Sequence, residues 1–164
     1  MSKARHETHD RNDSGIGDVV ESSLVARHLR YGWCSLLLFI CLGVVLESLH
    51  GFKVAWYLDV GTEPRRLMWR LAHAHGTFLS LVHIAYAATL HARPNVAFAT
   101  SFASAALIAA SILMPAGFFL GGTVIYGGDP GVGILLLPVG ALLLVTAVLS
   151  VAIGALRPPP RNTD

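Results

Sequence analysis

"LAHAHGTFLSLVHIAYAATL", Leu71 to Leu90, places three imidazoles, His73, His75 and His83, in twenty residues that carry no Lys, Arg, Asp or Glu. Whether this stretch is a helix in lipid or a loop in water decides the fold. At 1.5 Å per residue it is long enough to cross a hydrocarbon layer about 30 Å thick. It contains no proline or turn cluster. His73, Gly76, Ser80, His83 and Ala87 follow 3-4-3-4 spacing and make one stripe of small and polar residues. Small residues let helices approach closely, and hydroxyl and imidazole groups bond across the contact. The spacing predicts a membrane helix with this stripe turned toward other helices. His75 falls on another face, with Leu79, Val82 and Tyr86, directed at the long loop or a second protomer.

Three further segments flank it. Tyr31 to His50, Ala97 to Leu120 and Ile134 to Leu156 are 20, 24 and 23 residues long and strongly apolar. Lipid supplies no partners for free backbone groups, so each is expected to be helical. Pro115 and Pro138 lie inside the last two, where packed membrane helices tolerate them. The expected fold is all-α, an integral membrane four-helix bundle with spans at about 31–50, 71–90, 97–120 and 134–156. Residues 1–30 read as a polar tail with a short interfacial helix near its end, and 157–164 as a second polar tail.

Composition agrees with this class. Of 164 residues, 54% are hydrophobic and 13% charged, about half the charged share of a soluble protein. The net charge of +2, without a basic periodic face, excludes nucleic acid as a partner. Four spans put both termini on one side. That side holds eight Lys and Arg (Lys3, Arg5, Arg11, Arg27, Arg30, Arg93, Arg157, Arg161) against four on the other (Lys53, Arg65, Arg66, Arg70). The bias predicts cytoplasmic termini and residence in the cell (inner) membrane. Trp56, Tyr57 and Trp69 suit a membrane interface, and "GGTVIYGGDPGVG", Gly121 to Gly133, reads as a tight connection turning at Asp129-Pro130-Gly131. Cys34 and Cys41, seven residues apart on one helix, are beyond disulfide reach and are expected to be free, buried thiols.

The polar residues converge at one depth. Glu47 and His50 are three apart at the end of span one and share a face. Span two begins at that level and runs back, so Glu47, His50, His73 and His75 are expected near the outer face, with His83 deeper. Glu47 is the acid within a span and is expected to be protonated or paired. Three readings follow. The first is a non-enzymatic multi-pass protein, a small subunit or accessory factor that works as a homo-oligomer or in a larger membrane complex. The second is a haem b site through His50, His73 or His83, or a copper or zinc site through Glu47, His50, His73 and His75, since imidazole and carboxylate suit these ions. The third is a small oligomeric proton-coupled transporter, favoured by the Gly and Pro breaks. A di-iron carboxylate centre is excluded, because it needs a second Glu-x-x-His and further carboxylates within the spans. No catalytic residue is assigned: Ser80 and His83 share a face but lack an acid and an oxyanion element.

"HGFK" at His50 to Lys53, "HAHG" at His73 to Gly76, Gly121-Gly122, and "PVG" at Pro138 to Gly140 occur in an order that resembles a known group. These are the small four-span bacterial membrane proteins of unknown function related to the eukaryotic transmembrane protein 256 family. The resemblance covers about Leu36 to Gly154. It implies four helices and directs interest to His50 and His75, and it brings no reaction. The longer polar tail, Glu47 and the doubled histidine depart from the pattern.

Overall fold

The computed structural model describes residues 2–92 and 100–156, with side chains over 22–92 and 101–156. The turn expected around Pro94, the first residues of the third span, the side chains of residues 1–21 and the tail 157–164 lie outside the described residues. Among the described residues the chain is all-α apart from one hairpin of two-residue strands. Its long helices are α1 (Ser2–Gly51), α3 (Glu63–Ala92), α4 (Thr100–Thr123) and α5 (Leu136–Leu156); α2 (Ala55–Leu58) is a single turn. Among the described residues, three helical segments are long and apolar enough to cross a membrane: Ser22–Gly51, Ser101–Thr123 and Val132–Leu156.

Helix α3 is not among these three; it packs against both α1 and α4, and α5 packs against α4. The two faces of α3 differ sharply. Ala74, Phe78, Leu81, Ala85 and Ala88 are exposed, whereas Ala72, Gly76, Ser80, His83 and Ala87 are buried. The polar stripe is therefore turned inward and the apolar stripe outward, the reverse of a helix on a water-soluble core. The same holds elsewhere: Leu37 and Leu38 on α1 and Leu142 and Val145 on α5 are more than 60% exposed. Apolar surface on this scale needs lipid or another chain to cover it.

Close packing between α1 and α3 comes from two reciprocal insertions. The Phe39 ring of α1 lies on Gly76 of α3, and the His73 ring of α3 lies on Gly43 of α1. A β-carbon at position 43 would come within 2.5 Å of the His73 ring, so only glycine leaves room there. Between α3 and α4, Trp69 stacks on Phe119 with ring centres 5.3 Å apart and donates from Nε1 to the Phe119 carbonyl at 3.2 Å. Arg65 donates to the Gly122 carbonyl at 3.1 Å, satisfying a free acceptor at the C-terminal end of α4.

Several boundaries differ from the sequence reading. Helix α1 does not start at Tyr31 but runs unbroken through the segment read as a tail; Leu24 and His28 within it are buried. Polar composition hid this, because the buried positions Leu24, His28 and Gly32 recur at helical spacing among exposed charged residues. Helix α3 likewise starts eight residues before Leu71. The glycine-rich connection turns at Gly127-Gly128, not at Asp129-Pro130-Gly131: Ile125 pairs with Pro130 and Tyr126 with Asp129. Both turn residues have positive φ, +57° and +96°, the conformation of a two-residue hairpin and one that glycine adopts without strain. Pro138 falls in the first turn of α5, where a missing N–H costs nothing. Cys34 and Cys41 are free but exposed, on the outer face of α1 rather than in a core.

Candidate functional site

Two polar sites lie along the α1–α3 contact, one near each end. The first brings together three of the four residues that the sequence reading grouped, Glu47, His50 and His73. Helix α1 descends to Glu47 and His50 and α3 rises from Arg70 and His73, so the antiparallel pair brings these four side chains to the wall of one open groove of about 680 Å3, floored by the buried Tyr57. Glu47, His50 and Arg70 are exposed at its rim, and His73 is half-buried. His73 donates from Nδ1 to the Phe39 carbonyl at 2.7 Å. A carbonyl only accepts, so this bond fixes the tautomer and leaves Nε2 of the neutral ring as an acceptor. The groove thus offers a carboxylate, a guanidinium and imidazole nitrogen within one cavity, a combination suited to holding a polar group by hydrogen bonds and charge.

His75 is not part of it. Its Nδ1 donates to the Leu71 carbonyl at 2.9 Å, one turn back on its own helix, and its ring packs on Phe118 of α4 with centres 4.6 Å apart. The 200° rotation between positions 73 and 75 on a helix accounts for the separation. Among the described residues, no three His, Cys, Asp or Glu side chains come together closely enough to share a metal ion. The four-residue set of Glu47, His50, His73 and His75 is therefore divided: three line the groove, and His75 turns to another face of α3, toward α4.

The second site was not foreseen, except for His83. His83 and His28 are both fully buried. Their Nδ1 atoms are 2.6 Å apart and their rings are stacked with centres at 4.9 Å. Nε2 of His28 is 2.8 Å from Ser104 Oγ, and Nε2 of His83 is 3.1 Å from Ser111 Oγ. Arg27 donates to Ser104 Oγ at 2.5 Å, and the Tyr31 hydroxyl meets Ser111 Oγ at 2.9 Å. Tyr86 presents its ring edge-on to His28 at 4.7 Å.

The protons in this chain can be placed from groups that have no choice. Ser111 donates to the Ile108 carbonyl at 2.8 Å, so it accepts from His83 Nε2–H and from Tyr31. With its proton on Nε2, neutral His83 accepts at Nδ1, and His28 Nδ1–H is the donor. His28 Nε2 is then bare and accepts from Ser104, whose oxygen in turn accepts from Arg27, a group that only donates. Every bond runs in one direction, from Arg27 through Ser104, His28 and His83 to Ser111, with both rings neutral. Such a chain is fully satisfied, which is what a buried polar network requires.

This arrangement also bears on haem. Both nitrogens of His83 are engaged within the protein, so it has no lone pair for an axial bond. His50 and His73 remain as imidazoles on facing helices.

The clue to His28 lay in spacing. Leu24, His28, Tyr31, Ser35 and Phe39 continue one 4-3-4-4 stripe into the apolar span, and Ser35 meets Ser80 of the α3 stripe at 2.8 Å. Ser104 and Ser111, seven apart on α4, complete it.

No family model matches the chain, and neither the curated proteins nor the solved structures contain a match to it.

Proposed function

We propose that the chain is a non-enzymatic, multi-pass integral membrane protein that acts as a small accessory subunit, using the Glu47–His50–Arg70–His73 groove as its recognition surface. In this reading α1, α3, α4 and α5 cross the cell membrane as a four-helix bundle. Both termini are cytoplasmic, as the distribution of Lys and Arg favours, and the groove opens at the outer face. The inverted polarity of α3 supports the fourth crossing: its exposed stripe suits lipid although α3 is not among the three segments apolar enough by composition to span a membrane. Kinship with the four-span proteins related to transmembrane protein 256 is part of the same proposal.

The observation that carries the recognition role is the convergence of one carboxylate, one guanidinium and two imidazoles on a single open groove. His73 is held rigidly there by its bond to the Phe39 carbonyl and by the fit on Gly43. Fixed orientation of a few polar groups in an otherwise apolar cleft is how ligand sites gain selectivity.

Native mass spectrometry of protein extracted gently from its own membrane tests this. The wild-type chain is expected to carry a bound molecule or subunit that Glu47→Gln and His73→Ala release, both variants keeping wild-type helicity. Wild-type protein that emerges alone, with the same mass distribution as both variants, overturns the reading. A Soret band in the wild type that vanishes in His50→Ala would replace it with haem bound between His50 and His73.

A further inference from the structure

The His28–His83 pair plays no part in the groove, yet it is the most completely buried pair of titratable groups among the described residues with side-chain bonds at every ring nitrogen. We propose that this pair is a proton-binding site that takes up one excess proton from the aqueous phase at the Arg27 end of the α1–α3–α4 contact and shares it between the two rings.

Three features carry the inference. The first is the Nδ1–Nδ1 separation of 2.6 Å. Two nitrogens this close hold one proton between them; two protons there would collide. The pair therefore has two states that keep the bond, the neutral one and one with a single extra proton. The second is that the extra proton has one open place to go. In the neutral state His28 Nε2 is the ring nitrogen without hydrogen that faces an exchangeable group, Ser104 Oγ at 2.8 Å. The third is access. Ser104 is buried, but Arg27, whose side chain caps it, is exposed, so an outward swing of that one side chain opens Ser104 to solvent.

The step balances without another reactant. Ser104 gives its hydroxyl hydrogen to His28 Nε2 and receives one from a hydronium admitted when Arg27 swings outward, leaving a water; the guanidinium stays protonated and is no part of the relay. His28, now an imidazolium, can pass its Nδ1 hydrogen to His83 Nδ1, which moves the charge onto the second ring with no change in heavy-atom positions. No proton is lost, and release reverses the path. The groups that face the pair are Arg27 and Tyr31 from α1, Tyr86 from α3, and Ser104 and Ser111 from α4. No carboxylate stands among these contacts. Uptake therefore adds a positive charge beside Arg27, and the loaded state pushes that guanidinium outward.

The test uses the full chain labelled with 15N-histidine in phosphatidylcholine nanodiscs, titrated downward from neutral pH while helicity is followed. The expected result is that the two ring signals move together at one midpoint, with uptake of one proton per pair. His28→Asn, which keeps an N–H near the Nδ1 position and cannot titrate, is expected to abolish the shared transition. Ser104→Ala is expected to leave the uptake intact and to slow exchange of the ring protons with solvent by tenfold or more. Independent midpoints for the two rings, an unchanged proton count in His28→Asn, or no uptake before the helices unfold would each overturn the proposal. None of these outcomes depends on whether the Glu47 groove binds anything.

Discussion

Replacing Gly43 by alanine tests the packing that sets the geometry of the groove. The added β-carbon would stand 2.5 Å from Cε1, 2.9 Å from Nδ1 and 3.0 Å from Nε2 of His73. The ring cannot simply slide, because its Nδ1–H is bonded to the Phe39 carbonyl, one turn from Gly43 on the same helix. Overpacking of this kind costs about 1–3 kcal/mol, and the strained or broken hydrogen bond adds about 1 kcal/mol. Alanine returns up to about 1 kcal/mol through its better helix propensity. The net destabilisation is then about 1–3 kcal/mol, a factor of roughly 5 to 150 in the unfolding equilibrium. Reversible unfolding by SDS in mixed micelles, followed by circular dichroism, measures it.

A second substitution isolates the cause. His73→Ala removes the ring that the new methyl meets, so the double variant should recover most of the Gly43→Ala loss relative to His73→Ala alone, a coupling of about 1 kcal/mol or more. Gly51→Ala serves as the control: a β-carbon there meets nothing within 4 Å. A Gly43→Ala effect below about 0.5 kcal/mol, the usual range for uninvolved surface sites, or one undiminished in the His73→Ala background, would refute the account of how α1 and α3 lock together.

Other expectations follow from single contacts. Ser111→Ala removes the acceptor of both His83 and Tyr31 and is expected to cost about 1–3 kcal/mol for the orphaned buried donor, read by the same SDS titration. His75→Ala should lose about 0.5–1.5 kcal/mol of ring contact with Phe118, whereas His75→Phe should be nearly neutral; a large loss in His75→Phe would show that its nitrogens matter more than its stacking. Gly127→Val, at φ +57°, is expected to destabilise the hairpin by about 1–2 kcal/mol, visible as faster amide exchange at Tyr126 and Asp129. Cys34 and Cys41, exposed on the apolar flank of α1, should resist a charged maleimide in intact vesicles and react once the protein is unfolded in SDS. Ready labelling in vesicles would place that flank in water and refute the membrane assignment of α1.

The sequence by itself determined the all-α class, the three strongly apolar segments and the meeting of Glu47, His50 and His73 at one end of the first two helices. These depend on local quantities: hydropathy over a window, the 3.6-residue period, and the reversal of direction between consecutive helices. Small residues at 3-4 spacing in Leu71 to Leu90 likewise marked the buried stripe of α3, because backbone approach requires them wherever the partner comes from.

Tertiary structure alone decided which histidines belong together. His73 and His75 are neighbours in sequence, but rotation about the helix sends one to Gly43 and the Phe39 carbonyl and the other to Phe118. His28 and His83 are 55 residues apart and touch at 2.6 Å. Their pairing depends on the axial register of α1 against α3, which the Phe39–Gly76 and His73–Gly43 insertions set. Helical periodicity gives each side chain an angle, whereas register gives it a depth. Depth arises only when two helices interlock, so the polar site made by residues distant in sequence was the part that the sequence left open.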